Sequence, residues 1–228
     1  MLKKKEKKDY VFKKLDELLK PQGYKAFKTG GPPTYVLKQK DKAISFSLYF
    51  KDMGQIDISE LEISLFCVEN YIIELFGKEY ITEHYFYDEK KIFLSTVYDN
   101  ETEPLEGLYR GIGYDVKTQE ELETFTDWVI NYLKTDGQKF IETYSYLPNI
   151  LKRMDELLSE GKYWGDILSG GPENLFRGLI ISKLCNDIHY EDKIKYVDKI
   201  FYEDPDEWIP YYEKLKERLK SVEPKYNI

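Results

Sequence analysis

Two histidines, His84 and His189, are the residues of this chain best suited to acid–base or metal chemistry. A zinc site asks for further His or Cys ligands at short spacing, and a catalytic imidazole asks for a serine or cysteine to activate. Along the sequence neither histidine has such a neighbour, so each reads as structural or surface. The one alternative is folding that gathers His84, Glu74 and Asp88 into a pocket. Carboxylates cluster at Glu120, Glu121, Glu123 and Asp127, and again at Glu203, Asp204, Asp206 and Glu207 around Pro205. Paired carboxylates can share a divalent ion or work as acid and base. At a helix N-terminus they also stabilise the dipole by about 0.3–1 kcal/mol each, which accounts for Glu120-Glu121 and Asp206-Glu207 without any reaction. The runs Gly30-Gly31-Pro32 and Gly170-Gly171-Pro172 have the glycines of a phosphate cradle. The first leads into a strand. In the second, proline removes an N–H and no Gly-Lys-Ser/Thr follows, so both read as turns. The expectation is therefore no catalytic residue, no metal ligand and no cofactor.

Aromatic residues offer binding instead. The chain has 21 Tyr and 12 Phe, and 16% of it is aromatic. Most tyrosines are expected to pack their rings inward with the hydroxyl at a polar partner, the alternative being a binding surface, where Tyr is enriched. Tyr163-Trp164-Gly165 falls between helices, the better place for a surface pocket. Trp208, Tyr211 and Tyr212 sit in Asp206-Glu207-Trp208-Ile209-Pro210-Tyr211-Tyr212, which fits either an aromatic anchor beside acids or a helix face fixed by Ile209 and Leu215. The candidate binding residues are Tyr163, Trp164, Trp208, Tyr211 and Tyr212.

The elements that must position these residues change character partway along the chain. Early apolar residues alternate, as in Ile44, Phe46, Leu48 and Phe50; from about Thr118 they recur at helical spacing. That describes an α+β protein: an N-terminal helix, an antiparallel sheet of about five to seven strands, then about five helices. The first helix spans about Lys5 to Lys20, with Val11, Phe12, Leu15, Leu18 and Leu19 on one stripe, and stops at Pro21. Strands follow at Tyr35-Val36-Leu37 and Ala43 to Lys51. The next places Ile56 and Ile58 inward, then Leu61, Ile63, Leu65 and Cys67, with a bulge or break near Ser59-Glu60. Asn70 to Phe76 reads as a short helix ended by Gly77. Tyr80 to Tyr87 and Lys91 to Tyr98 read as a hairpin, and Leu108 to Val116 as a last strand weakened by Gly107, Gly111 and Gly113. Thr118-Gln119-Glu120-Glu121 has the form of a capping box opening a helix. Pro148 and Pro172 start further helices, and two more cover about Tyr190 to Tyr202 and Asp206 to Lys220. With no repeat and no linker rich in glycine or proline, the simplest organisation is a single domain over residues 1–228, sheet-rich to 116 and helical from 117.

Composition narrows the function classes. At 228 residues the chain can bury a substantial core without disulfides. Cys67 and Cys185 read as buried thiols of a reducing cytoplasm. The lysines of Met1-Leu2-Lys3-Lys4-Lys5 are not followed by an apolar stretch, and no run of about 20 apolar residues exists, so a signal peptide and a membrane span are not expected. Net charge is −8 with a pI near 5.1. An acidic chain is repelled by nucleic acid unless bases concentrate on one face. Lys3, Lys4, Lys5, Lys7 and Lys8 lack an interleaved aromatic and read as a solvated, fraying first turn, so nucleic acid is not an expected partner.

Leu15-Asp16-Glu17-Leu18-Leu19-Lys20-Pro21-Gln22-Gly23-Tyr24-Lys25, followed by Tyr35-Val36-Leu37, resembles the opening of small bacterial domains of unknown function. These begin with a helix reading Leu-Leu-x-x-x-Gly-Phe-Lys and continue into an antiparallel sheet with C-terminal helices. The resemblance implies the same fold and, through suspected members, an immunity or toxin-neutralising role. It supplies no active-site residues. The leading expectation is a cytoplasmic, non-enzymatic interaction module with an acidic, aromatic-rich surface for another protein, one of basic character. The alternative is a small-ligand-binding protein or hydrolase with a pocket between sheet and helices. Self-association through a strand or the C-terminal helices stays open.

Overall fold

The computed structural model describes residues 2–28, 31–84, 94–203 and 207–227, and they form an α+β protein. The chain divides into two compact units that interleave in sequence: Met1–Glu62 with Asp99–Glu142, and Ile63–Tyr98 with Thr143–Ile228.

In the first unit, α1 (Lys4–Leu19) buries Val11, Leu15 and Leu19 along the predicted stripe. Strands β1 (Lys25–Phe27), β2 (Thr34–Lys38), β3 (Lys42–Phe50) and β4 (Gln55–Ile58) follow, and β7 (Tyr114–Asp115) completes an antiparallel path β1-β2-β3-β4-β7. The predicted inner face of β3 is buried at Ile44, Phe46, Leu48 and Phe50, while Tyr49 on its outer face is exposed. Register puts Tyr35 opposite Phe46, and their rings stack at 5.4 Å. The Tyr35 hydroxyl donates to Asp16 Oδ1 at 2.9 Å, which ties β2 to α1. The parity change near Ser59 is a break: β4 ends at Ile58 and the Ser59 N–H returns to Ser47 O at 2.8 Å. Helix α4 (Gln119–Lys134) begins with the predicted capping box. The Thr118 N–H donates to the Glu121 carboxylate at 2.8 Å, and Thr118 Oγ1 accepts from Glu121 N–H at 3.2 Å. The Lys117 N–H, which donates to the same carboxylate at 2.6 Å, and then the Thr118 N–H hold the Glu121 carboxyl below its ordinary range. The opening turn of α1 departs from the expectation of a solvated end. Lys7 is buried, its ammonium donating to the carbonyls of Gly54 and Val116, and Lys4 pairs with Asp52 at 2.6 Å. A lysine stem covers apolar surface readily, and here the buried head finds carbonyl acceptors.

The second unit is mostly helical. Strands β5 (Glu62–Leu65) and β6 (Val97–Tyr98) pair, with Thr96 N–H donating to Ile63 O at 2.8 Å. Helix α2 (Phe66–Phe76) starts four residues before the predicted one, so Cys67 is helical and not the end of a strand. Residues 78–84 form α3 (Lys78–His84), not the first strand of the expected hairpin. Tyr80, Ile81 and Thr82 favour strands, yet Ile81 is buried between exposed neighbours at 79 and 82, without the alternation a strand requires. The middle of that hairpin, residues 85–93, lies outside the described residues. α5 (Asp136–Tyr144) runs from the end of the first unit into the second; α6 (Leu147–Ser159), α7 (Glu173–Leu184), α8 (Tyr190–Glu203) and α9 (Ile209–Leu219) follow. α7 is buried almost all round, as a helix at the centre of a core must be. Its Arg177 makes a buried two-pronged ion pair with Glu69, at 2.9 and 2.7 Å, and Thr96 Oγ1 donates to the same carboxylate at 2.7 Å. Lys193 is buried against Asp187 and Asp155. Among the described residues no helix is long and apolar enough to cross a membrane.

Candidate functional site

The segment 99–113 of the first unit is a loop held by several side-chain hydrogen bonds. It hangs from Asp99, a buried carboxylate whose own N–H donates to Leu61 O at 2.9 Å. Asp99 Oδ1 accepts from the Thr102 N–H at 3.2 Å, and Oδ2 accepts from Thr102 Oγ1 and from the Tyr132 hydroxyl, both at 2.7 Å. An Asp turning the backbone onto its own side chain is a common loop device; burial and a phenol donor from α4 make this one stiff. Burial, and then the Asp99 charge, push the Tyr132 phenol far above its ordinary range, so it stays a donor. Arg110 folds back over this root, donating to Asp99 O at 3.2 Å and pairing with Glu60 at 3.0 Å. Leu108 is buried, and the Lys51 ammonium donates to Gly111 O. The cavity at the root, lined by Glu60, Asp99, Arg110 and Tyr132 among others, is about 20 Å³. That holds a water and excludes a substrate.

What the loop displays is apolar and acidic. Tyr109 is 66% exposed and Ile112 64%. The same loop carries exposed Glu101, Glu103 and Glu106, and the last two make no ion pair among the described residues. Loop conformation is set by Gly107, Gly111 and Gly113, all at positive φ. Gly113 is the most constrained, at φ +97°, with a built Cβ only 2.9 Å from Ile56 O, so no other residue lets the loop close onto β4. Two large apolar side chains held rigidly in water, on a loop that also carries carboxylates, have the make-up of a binding anchor. The sequence reading passed over these residues, treating Asp99-Asn100-Glu101 as a polar loop and Leu108 to Val116 as a strand. The glycines at 107, 111 and 113 were the available signal.

The residues expected to bind lie in the second unit and separate into two groups. Trp208, Tyr211 and Tyr212 do come together, around Phe76, Phe176 and Phe201. Tyr212 is 0% exposed and its hydroxyl donates to Asp198 at 2.9 Å, whereas Trp208 and Tyr211 are half-buried. Tyr163 is exposed, but Trp164 is 1% exposed and fills the core. Its ring packs on Gly178, where a Cβ would lie 2.3 Å away, and both Tyr163 and Trp164 make ring contacts with Tyr196. Glu74 pairs with Arg218 at 3.1 Å; His84 falls in α3, and Asp88 lies outside the described residues. Near these, α2 and α9 enclose an open groove of about 630 Å³ lined by Tyr71, Glu74, Leu75, Lys214, Leu215, Glu217, Arg218, Lys220 and Ser221. Neither cysteine is in a disulfide. Cys185 is buried, and burial pushes its thiol up to about 12, which keeps it protonated and inert. Among the described residues no group of His, Cys, Asp or Glu is placed to hold a metal ion. No protein-family model, curated protein or solved structure matches this chain.

Proposed function

We propose that this protein is a non-catalytic interaction module whose 99–113 loop binds a basic protein. The observation that carries the reading is the pair Tyr109 and Ile112, exposed on a braced loop that also carries exposed glutamates at 101, 103 and 106. Aromatic and aliphatic anchors supply affinity at the centre of an interface, and charges at its rim steer encounter and exclude wrong partners. Bracing by Asp99, Tyr132 and Arg110 lowers the ordering cost on binding. A toxin-neutralising role, which the resemblance of the opening stretch implies, is one form such a module takes. The test is affinity capture from an extract of the protein's own host, comparing the wild type with Tyr109→Ala. A partner held through this loop is retained at 50 mM salt, is largely released by about 500 mM as rim charges are screened, and is lost with Tyr109→Ala. Retention by the variant, or indifference to salt, counts against the reading.

A further inference from the structure

We infer that the groove between α2 and α9 is a binding site for a small amphipathic carboxylate, one anionic head on an apolar chain or ring. The groove's volume of about 630 Å³ falls in the range of small-ligand sites, and its floor is Leu75, Leu215 and the Tyr71 ring. Its charged groups are three cations, Lys214, Arg218 and Lys220, and two carboxylates, Glu74 and Glu217, a net excess of one positive charge. Lys214 donates to Leu75 O at 2.8 Å and to Glu74 O at 3.4 Å, carbonyls at the end of α2, and makes no ion pair with a carboxylate among the described residues. The two acids of the lining are already taken: Glu74 by Arg218 Nε at 3.1 Å, and Glu217 by Lys220 at 2.5 Å. Arg218 lies over Tyr71, 5.4 Å from the ring centroid, and its Nη1 donates to Ser221 Oγ at 3.0 Å. The residual positive charge of the groove therefore sits on Lys214, at the end of an apolar floor, in a chain of net charge −8.

The dimensions favour a small molecule over a docked helix. A helix seated through residues i, i+4 and i+7 needs about 10 Å of apolar wall, and the α2 wall from Tyr71 to Leu75 gives about 6 Å. A carboxylate placed at Lys214 accepts a charge-assisted hydrogen bond, and its tail lies along Leu75, Leu215 and Tyr71.

Isothermal titration of the full chain with hexanoate, octanoate and decanoate tests this, with octylammonium as the charge-reversed control. The expected result is binding that tightens roughly threefold per added methylene. Octylammonium is expected to bind at least about tenfold more weakly than octanoate, Lys214→Gln to cost octanoate about tenfold, and Lys214→Arg to restore it. The comparison of ligands on the wild type needs no variant, so it stands even where Lys214→Gln loosens the end of α2. Equal binding of octanoate and octylammonium overturns the assignment, as does no binding at millimolar concentration. Light scattering on the same samples covers the remaining occupant: a dimer that decanoate fails to disperse gives the groove to a second copy of the chain and also overturns it. The inference stands on α2 and α9 alone and is independent of the 99–113 loop.

Discussion

Protonation of Glu62 bears on the stability of this fold near neutral pH. The side chain is half-buried beside Glu60 and Tyr49, and accepts from Ser45. Burial first, then the Glu60 charge, raise its carboxyl from an ordinary value of 4.5 to about 7. A folded-state value above the unfolded one means that the native state holds the proton more tightly. The associated stability is present in full below about pH 4.5, is lost as pH rises through 7, and is absent above it. The size is at most about 3 kcal/mol. Glu62→Gln keeps a neutral group there, so urea melts are expected to show the variant more stable than the wild type at pH 8 and its stability flatter between pH 5 and 8. A wild type equally stable at both pH values would remove Glu62 from this role. Asp99 is a buried carboxyl group held by hydrogen bonds from Thr102 and Tyr132. Tyr132→Phe removes the 2.7 Å bond to Oδ2 and is expected to cost about 1–3 kcal/mol, with faster amide exchange across residues 100–113. None of this was legible in the sequence, because Asp99 and Tyr132 meet only through folding, while Glu62 sat in an unremarkable strand.

Among elements, those specified by local chemistry were legible. Helix α1 follows from its apolar stripe, β3 from strict alternation, and α4 from the reciprocal bonds of Thr118 and Glu121. Thr118→Ala is expected to cost about 1 kcal/mol in a thermal melt. What failed was propensity read without burial. Residues 78–82 have strand-like composition but lie in a helix, because Gly77, at φ +86°, ends α2 and allows a new turn to begin. The segment from Leu108 to Val116 has strand-like ends, yet joins β4 only at Tyr114–Asp115; ahead of that it turns at Gly111 and Gly113, both at positive φ, and closes on itself through a single bridge between Tyr109 and Gly113. Gly113→Ala combines positive φ with a clash at Ile56 O, and is expected to cost roughly 2 kcal/mol or more by urea denaturation. Gly111→Ala has open space and is expected to cost less. Similar losses at the two positions would mean that the close approach to β4 does not hold the loop.

On the scale of the molecule, the sequence conveyed the α+β fold class. Two units exchange chain at residues 62/63, 98/99 and 142/143, with no linker to mark the crossings. The lysine-rich opening and the acidic stretch 99–142 belong to the same unit, where α1 packs on α4. The loop at 99–113 exposes Tyr109 and Ile112 and carries exposed Glu103 and Glu106, which make no ion pair among the described residues. The most direct test of its role is native mass spectrometry on protein purified gently from its own host without chelators, as wild type and as the Tyr109→Ala, Ile112→Ala double variant. The account predicts a stoichiometric complex of the wild type with a basic protein, and no protein partner on the variant. A complex that survives the double substitution, or a wild type without a protein partner, would contradict it.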